Sequence, residues 1–203
     1  MGIVALLLAS SVAAFGATQP SRDSSTLMSR RNLLGSLVGS AVLGTSLPAQ
    51  AEVFVRETNQ LRYTFQPPSN FEPGNKPLKT HLDEINFKSQ STSGYQFGIT
   101  VDPVRIDSLR QFGTPEEVAA KVVLAEVNRD GVFDVTLMKD PVEVDNSYVL
   151  NYLSEGKRGK KRFVTKFCIQ SQKLYALTAQ CKEENYPELE KEMMAAVESF
   201  RVP

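Results

Sequence analysis

The sequence predicts an α+β fold, an antiparallel sheet with a few helices packed on it. Three observations carry this expectation. Residues 163–170 and 174–181 read as a hairpin whose second strand, Leu174-Tyr175-Ala176-Leu177-Thr178-Ala179, is apolar on both faces. That is the pattern of a strand lying centrally in a sheet and covered on both sides. Upstream, Tyr95, Phe97, Ile99 and Val101 alternate cleanly, which puts them on one face of a second strand. Finally, two stretches carry helix-start chemistry, at Thr114-Pro115 and at Pro187.

In chain order, residues 52–57 are a short lead-in. Residues 61–65 alternate as a strand, ended by Pro67-Pro68 because proline cannot donate to a ladder. Residues 69–79 read as loop, with Pro73-Gly74 as a turn. Residues 82–88 are a strand with Leu82, Glu84 and Asn86 opposite Asp83, Ile85 and Phe87, and residues 89–94 are a polar turn. A helix then starts with Thr114 as N-cap, Pro115 at N1 and Glu117 at N3, a capping box whose acids also face the positive end of the helix dipole. Its buried stripe is read as Val118, Val122, Ala125 or Leu124, and Val127. Residues 133–138 and 142–144 form one bent or two short strands around Asp140-Pro141, and 148–153 form another. A glycine-containing basic turn over 155–162 leads into the terminal hairpin, with its turn at Gln172-Lys173. The last helix buries Leu189, Met193, Val197 and Phe200.

The 203 residues hold 23 basic and 23 acidic side chains. Residues 1–51 contain three arginines and one aspartate, so 52–203 keep 20 basic and 22 acidic residues, a net −2. Without a basic footprint, nucleic-acid binding is not expected. Any electrostatic argument must therefore be local. Two cysteines and one histidine do not make a protein-only structural zinc site. Nucleophile-elbow, phosphate-loop and metalloprotease motifs are all missing from the sequence, which argues against an enzyme.

Residues 1–51 read as two targeting signals in series. Residues 1–14 are a signal peptide, apolar and ending in small residues, with cleavage after Ala14. Myristoylation at Gly2 is not expected, because Leu6 occupies the position where that motif needs Ser or Thr. Residues 15–29, rich in Ser, Thr and Gln and poor in acids, are a plastid transit segment opening on Phe15. Residues 30–51 are a twin-arginine signal: Arg30-Arg31, a weakly apolar run, and Ala49-Gln50-Ala51 for cleavage. That run is shorter than the ~20 residues a membrane-spanning helix needs. No Asn-x-Ser/Thr sequon is present, so N-glycosylation in transit is not expected. The mature domain is then 52–203.

Several motifs, in order, resemble the PsbP family of thylakoid lumenal proteins. They are Tyr63-x-Phe65-x-x-Pro68-x-x-Phe71, Ile99-x-Val101-x-Pro103, Ile106-x-x-Leu109-x-x-Phe112-Gly113-x-Pro115-Glu116, Tyr148-x-Leu150-x-Tyr152, Lys173-Leu174-Tyr175-x-Leu177-x-Ala179-Gln180 and Ser199-Phe200-x-Val202. The tandem leader likewise resembles a bipartite plastid presequence followed by a thylakoid-lumen signal. The resemblance implies a central antiparallel sheet sandwiched by helices, an α/β/α arrangement. It also implies a non-enzymatic protein, monomeric when free, peripheral to the lumenal membrane face. Its partners would be photosystem II lumenal subunits or assembly intermediates, with calcium and chloride retention at the oxygen-evolving complex as the supported activity. Two departures from the photosystem II subunit of the family stand out. Only about ten residues precede Tyr63 after the last cleavage point, and Phe71 and Tyr186 stand where tryptophan is common. The short arm favours a PsbP-like or PsbP-domain protein. A lumenal assembly factor, a small-molecule or metal carrier and an uncharacterised lumenal enzyme are the competing readings.

Candidate site residues follow from charge and ligand chemistry. Lys157, Arg158, Lys160, Lys161 and Arg162 place five cations in six residues on the predicted turn, the one single-sign block, and are expected to dock on an acidic lumenal surface. Calcium is implied by the resemblance alone, since no EF-hand pattern occurs. Two acidic clusters, Asp140 with Glu143 and Asp145, and Glu183 with Glu184 and Glu188, are ordinary solvated charge. His81 near Asp83 and Glu84 is read as a lone surface histidine, with a metal or pH-sensing role as the alternative. Cys168 and Cys181 are expected to stay unpaired, because a turn at Gln172-Lys173 sets them ~13 Å apart along the ladder.

Overall fold

The computed structural model describes residues 52–74 and 81–203. The three leader segments, and the loop residues 75–79, lie outside the described residues. β1 (Phe54–Glu57) and β2 (Arg62–Phe65) form an antiparallel hairpin. The other seven strands are β3 (Phe71–Pro73), β4 (Asp83–Ser89), β5 (Gln96–Pro103), β6 (Val132–Val144), β7 (Ser147–Gly156), β8 (Gly159–Gln170) and β9 (Lys173–Lys182). They make one sheet in the order β3-β4-β5-β9-β8-β7-β6, antiparallel throughout. Helices α1 (Pro115–Val127) and α2 (Tyr186–Ser199) complete the fold.

β9 occupies the middle of the sheet, as its two-sided apolar pattern requires. Tyr175, Leu177, Ala179 and Cys181 point into a core closed by α2 and the β1–β2 hairpin, with Tyr63, Phe65, Phe97, Met193, Val197 and Phe200. Leu174 and Ala176 point the other way, into a core closed by α1 through Val118, Ala119 and Val122. Rings in the first core meet at tilted and edge-on angles, such as Phe65–Phe97 at 5.3 Å and Tyr63–Tyr175 at 6.2 Å. Each fully buried ring or branched side chain contributes about 1.5–3 kcal/mol from burial alone. The sheet is therefore held from both faces, and its strand ends and hairpin tips are what remain to be presented.

Several expected boundaries move. The lead-in is strand β1, paired to β2, and part of the expected loop is strand β3 on the edge of the sheet. Pro73 is tolerated there because an edge strand has one unpaired side. The bent segment around Pro141 is one 13-residue edge strand, its strain taken up by three register irregularities. The capping box at Thr114 and Glu117 forms as read. The stripe of α1 forms through Val118 and Val122, buried, and Ala125 and Val127, partly buried; the alternative Leu124 is 62% exposed, and Glu126, outside the expected stripe, is buried. The terminal hairpin turns at Ser171-Gln172, both at positive φ, so Gln170 faces Lys173 and Cys168 faces Tyr175. The basic turn is also shorter than expected, with Gly156 opposite Gly159 and only Lys157-Arg158 between them.

Candidate functional site

Glycines set the geometry of the β7–β8 tip. Gly159 adopts φ +88°, the left-handed conformation that closes the two-residue loop without a Cβ penalty. Gly156 lies so close to the loop after α1 that an added Cβ would meet the Gly131 carbonyl at 2.3 Å. The Lys157 N–H donates to that same carbonyl at 2.8 Å. The tip is thus pinned to the C-terminal end of α1.

Because Lys160, Lys161 and Arg162 lie in β8 rather than in the turn, alternation sends them to opposite faces. Lys160, exposed, pairs with Glu155 across the ladder at 2.5 Å. Lys161 is half-buried on the α1 side. Arg162 is buried on the α2 side, where it gives two bonds to Glu183 (2.8 and 2.5 Å) and one to Asn151 (3.3 Å). Its guanidinium also lies 4.2 Å over the Tyr186 ring. Tyr186 in turn accepts from Asn151 at 2.9 Å. Arg162 therefore belongs to the interior, and the expectation of five cations on one surface is corrected. Lys157 and Arg158 are exposed at the tip, Lys157 within 3.6 Å of Asp130.

The tip and the end of α1 enclose a cleft of about 480 Å³. Arg129 stands at its α1 wall, held by two bonds (2.6 and 2.8 Å) to the buried Glu126 carboxylate, which Ser154 also approaches at 3.4 Å. Arg158 and Lys161 line the hairpin wall, and Phe163 and Gln180 line the sheet side. Burial, and then the positive charges of Arg158 and Arg129, push the Lys161 ammonium below its ordinary pKa, with Glu126 opposing. Gln180 is 4% exposed, and its Nε2 has no hydrogen-bond partner. Sequence reasoning found the lysines and Arg158 as a charge run. It missed Glu126 and Arg129, which carry no local signature, and read Gln180 only as part of a strand motif, not as part of a site.

The metal candidates are not brought together. Asp83 accepts from Arg56 (2.7 and 3.2 Å) and from the Tyr63 hydroxyl (2.8 Å). Glu84, the next residue along the strand, points to the other face and accepts from Asn86 at 3.2 Å. His81 is not a surface histidine: its imidazole is buried and turns to Asp102, with Nδ1 at 2.8 and 3.0 Å from its oxygens. Burial raises the Asp102 carboxyl pKa, and the histidine bond opposes that rise. Among the described residues no three His, Cys, Asp or Glu side chains gather as a metal cage, so the trio does not fit a calcium or zinc ion. Within the acidic clusters, Glu143 pairs with Arg110, Glu183 with Arg162 and Glu184 with Lys182. Cys168 and Cys181 are free thiols, and the observed register sets them six residues apart along the ladder, ~20 Å rather than ~13 Å.

A family model described as PsbP matches residues 53–202. The PsbP domain-containing protein 2, chloroplastic, of Arabidopsis thaliana is 30% identical over 95 residues, which cover 45% of this chain and 41% of that protein. The matched stretch thus spans less than half of the relative. The solution structure of cyanobacterial PsbP (CyanoP) from Synechocystis sp. PCC 6803 superposes with a TM-score of 0.61 at 14% identity, covering 81% of this chain and 98% of that one. At that identity the likeness is one of fold.

Proposed function

The chain belongs to the PsbP family, and from that premise we propose that it is a thylakoid lumenal protein of a plastid that associates peripherally with photosystem II and supports water oxidation without itself being a catalyst. The observation that carries this reading is the family match over 53–202, which takes in both cores and both helices. The tandem signals read in residues 1–51 support the same address. Support for water oxidation takes the form of calcium and chloride retention at the oxygen-evolving complex or of help in its assembly.

Contact with an acidic lumenal surface is made by the tip, where Lys157 and Arg158 are exposed beside Lys160. The net −2 of residues 52–203 gives no global attraction, so association rests on this local charge and weakens with salt. Native-gel fractionation of solubilised thylakoids tests the reading. The protein is expected to comigrate with photosystem II or with its assembly intermediates, the two being distinguished by subunit content. Neutralising Lys157, Arg158 and Lys160 together is expected to release it at low salt. Migration apart from both, or retention indifferent to the triple substitution, overturns the assignment or the docking surface respectively.

A further inference from the structure

We propose that the cleft between the β7–β8 tip and the end of α1 is a binding site for a small organic oxyanion, a carboxylate or phosphate group held by Arg158 and Lys161 over the Gln180 amide. This goes beyond the docking reading, since it requires no partner protein. The first argument is charge. The lining carries two acids, Glu126 and Asp130, and four cations, Arg129, Lys157, Arg158 and Lys161. The cleft thus holds an excess of positive charge, in a recess where water screens it less than on an open surface. Arg129 makes its bonds to Glu126 through Nη1 alone, which keeps the fork oriented by a buried carboxylate.

The second argument is an unanswered donor. Buried amides nearly always find a partner, yet Gln180 Nε2, on the central strand, has none. An oxyanion oxygen accepts from such a group and from the neighbouring cations at once, and charge-assisted bonds of that kind are the strong ones. The third is shape. The volume of about 480 Å³ lies in the range of small-ligand sites, and Phe163 and Val132 offer apolar wall to a carbon skeleton. The pinned contact between Gly156 and Gly131 keeps the walls at a fixed separation before any ligand arrives.

Titrating the full chain with succinate and, separately, with inorganic phosphate at constant ionic strength tests the site, with backbone amide NMR shifts as the readout and sodium chloride as the control. Saturable shifts at Gly131, Gly156 and Lys161 are expected, and the stronger of the two anions identifies the headgroup. Lys161→Met is expected to weaken binding about tenfold, the loss of one charge-assisted bond. Gln180→Leu keeps the shape of the floor and the charge of the tip. It is expected to weaken binding while leaving the fold and comigration with photosystem II intact, which separates this site from the docking turn. Shifts that fail to saturate, that chloride reproduces, or that neither substitution alters overturn the proposal.

Discussion

Arg162 holds Glu183, Asn151 and the Tyr186 ring at once, and removing it leaves a carboxylate and a buried amide without their complement. Arg162→Ala is expected to cost about 2–3 kcal/mol, less than a fully buried ion pair because Glu183 is partly solvated. Arg158→Ala, four residues away in the same charge run, is expected to change stability by no more than ~0.5 kcal/mol. Urea unfolding of the two variants separates them; equal effects contradict the interior role of Arg162. The cysteines give a second residue-scale test. Burial pushes both thiols up to about 12, leaving almost no thiolate near neutral pH. Alkylation by iodoacetamide at pH 7.5 is expected to be slow in the native protein and rapid in denaturant, as followed by intact mass. Because the folded pKa lies above the ordinary thiol value of about 9, the stability linked to these thiols is full below pH 9 and falls as pH rises toward 12. A urea midpoint that rises between pH 9 and 11 contradicts this.

At the scale of elements, what was legible was local. The capping box of α1 needs only Thr114, Pro115 and Glu117, all within four residues, and it forms as read. The β8–β9 turn was misplaced because Ser171-Gln172 carries none of the Asn-Gly or Asp-Gly chemistry that marks a turn with two residues at positive φ. That mismatch makes a prediction: Ser171→Asn with Gln172→Gly is expected to stabilise the protein by about 1 kcal/mol, seen as a raised melting temperature. An unchanged or lowered value contradicts the turn conformation. In α1, the apolar stripe holds at Val118, Val122, Ala125 and Val127, but the buried Glu126 was not legible, because hydrophobicity alone does not reveal that Arg129, three residues on, neutralises a buried acid. The basic run was visible as composition, but where the turn ends decides which face each cation takes. That boundary depends on Gly156 pressing against Gly131, a contact between distant parts of the chain.

At the scale of the whole molecule, the order of the sheet follows from which strands are apolar on both sides, and β9 announced its central place in the sequence. The cleft did not announce itself, since its walls come from α1, β6, β7, β8 and β9 and no spacing rule links them. One long-range pairing has a consequence for how such a chain is made. Thr64, in the first hairpin, exchanges both backbone hydrogen bonds with Arg201, at 2.9 and 3.0 Å. Tyr63 and Phe65 therefore cannot bury themselves fully until Phe200 and its neighbours have left the ribosome. An interrupted translation product keeps those rings exposed and sticky to chaperones. The latch works as a receipt: the first hairpin is sealed only once synthesis has passed Arg201, so its closure reports that both cores have been made.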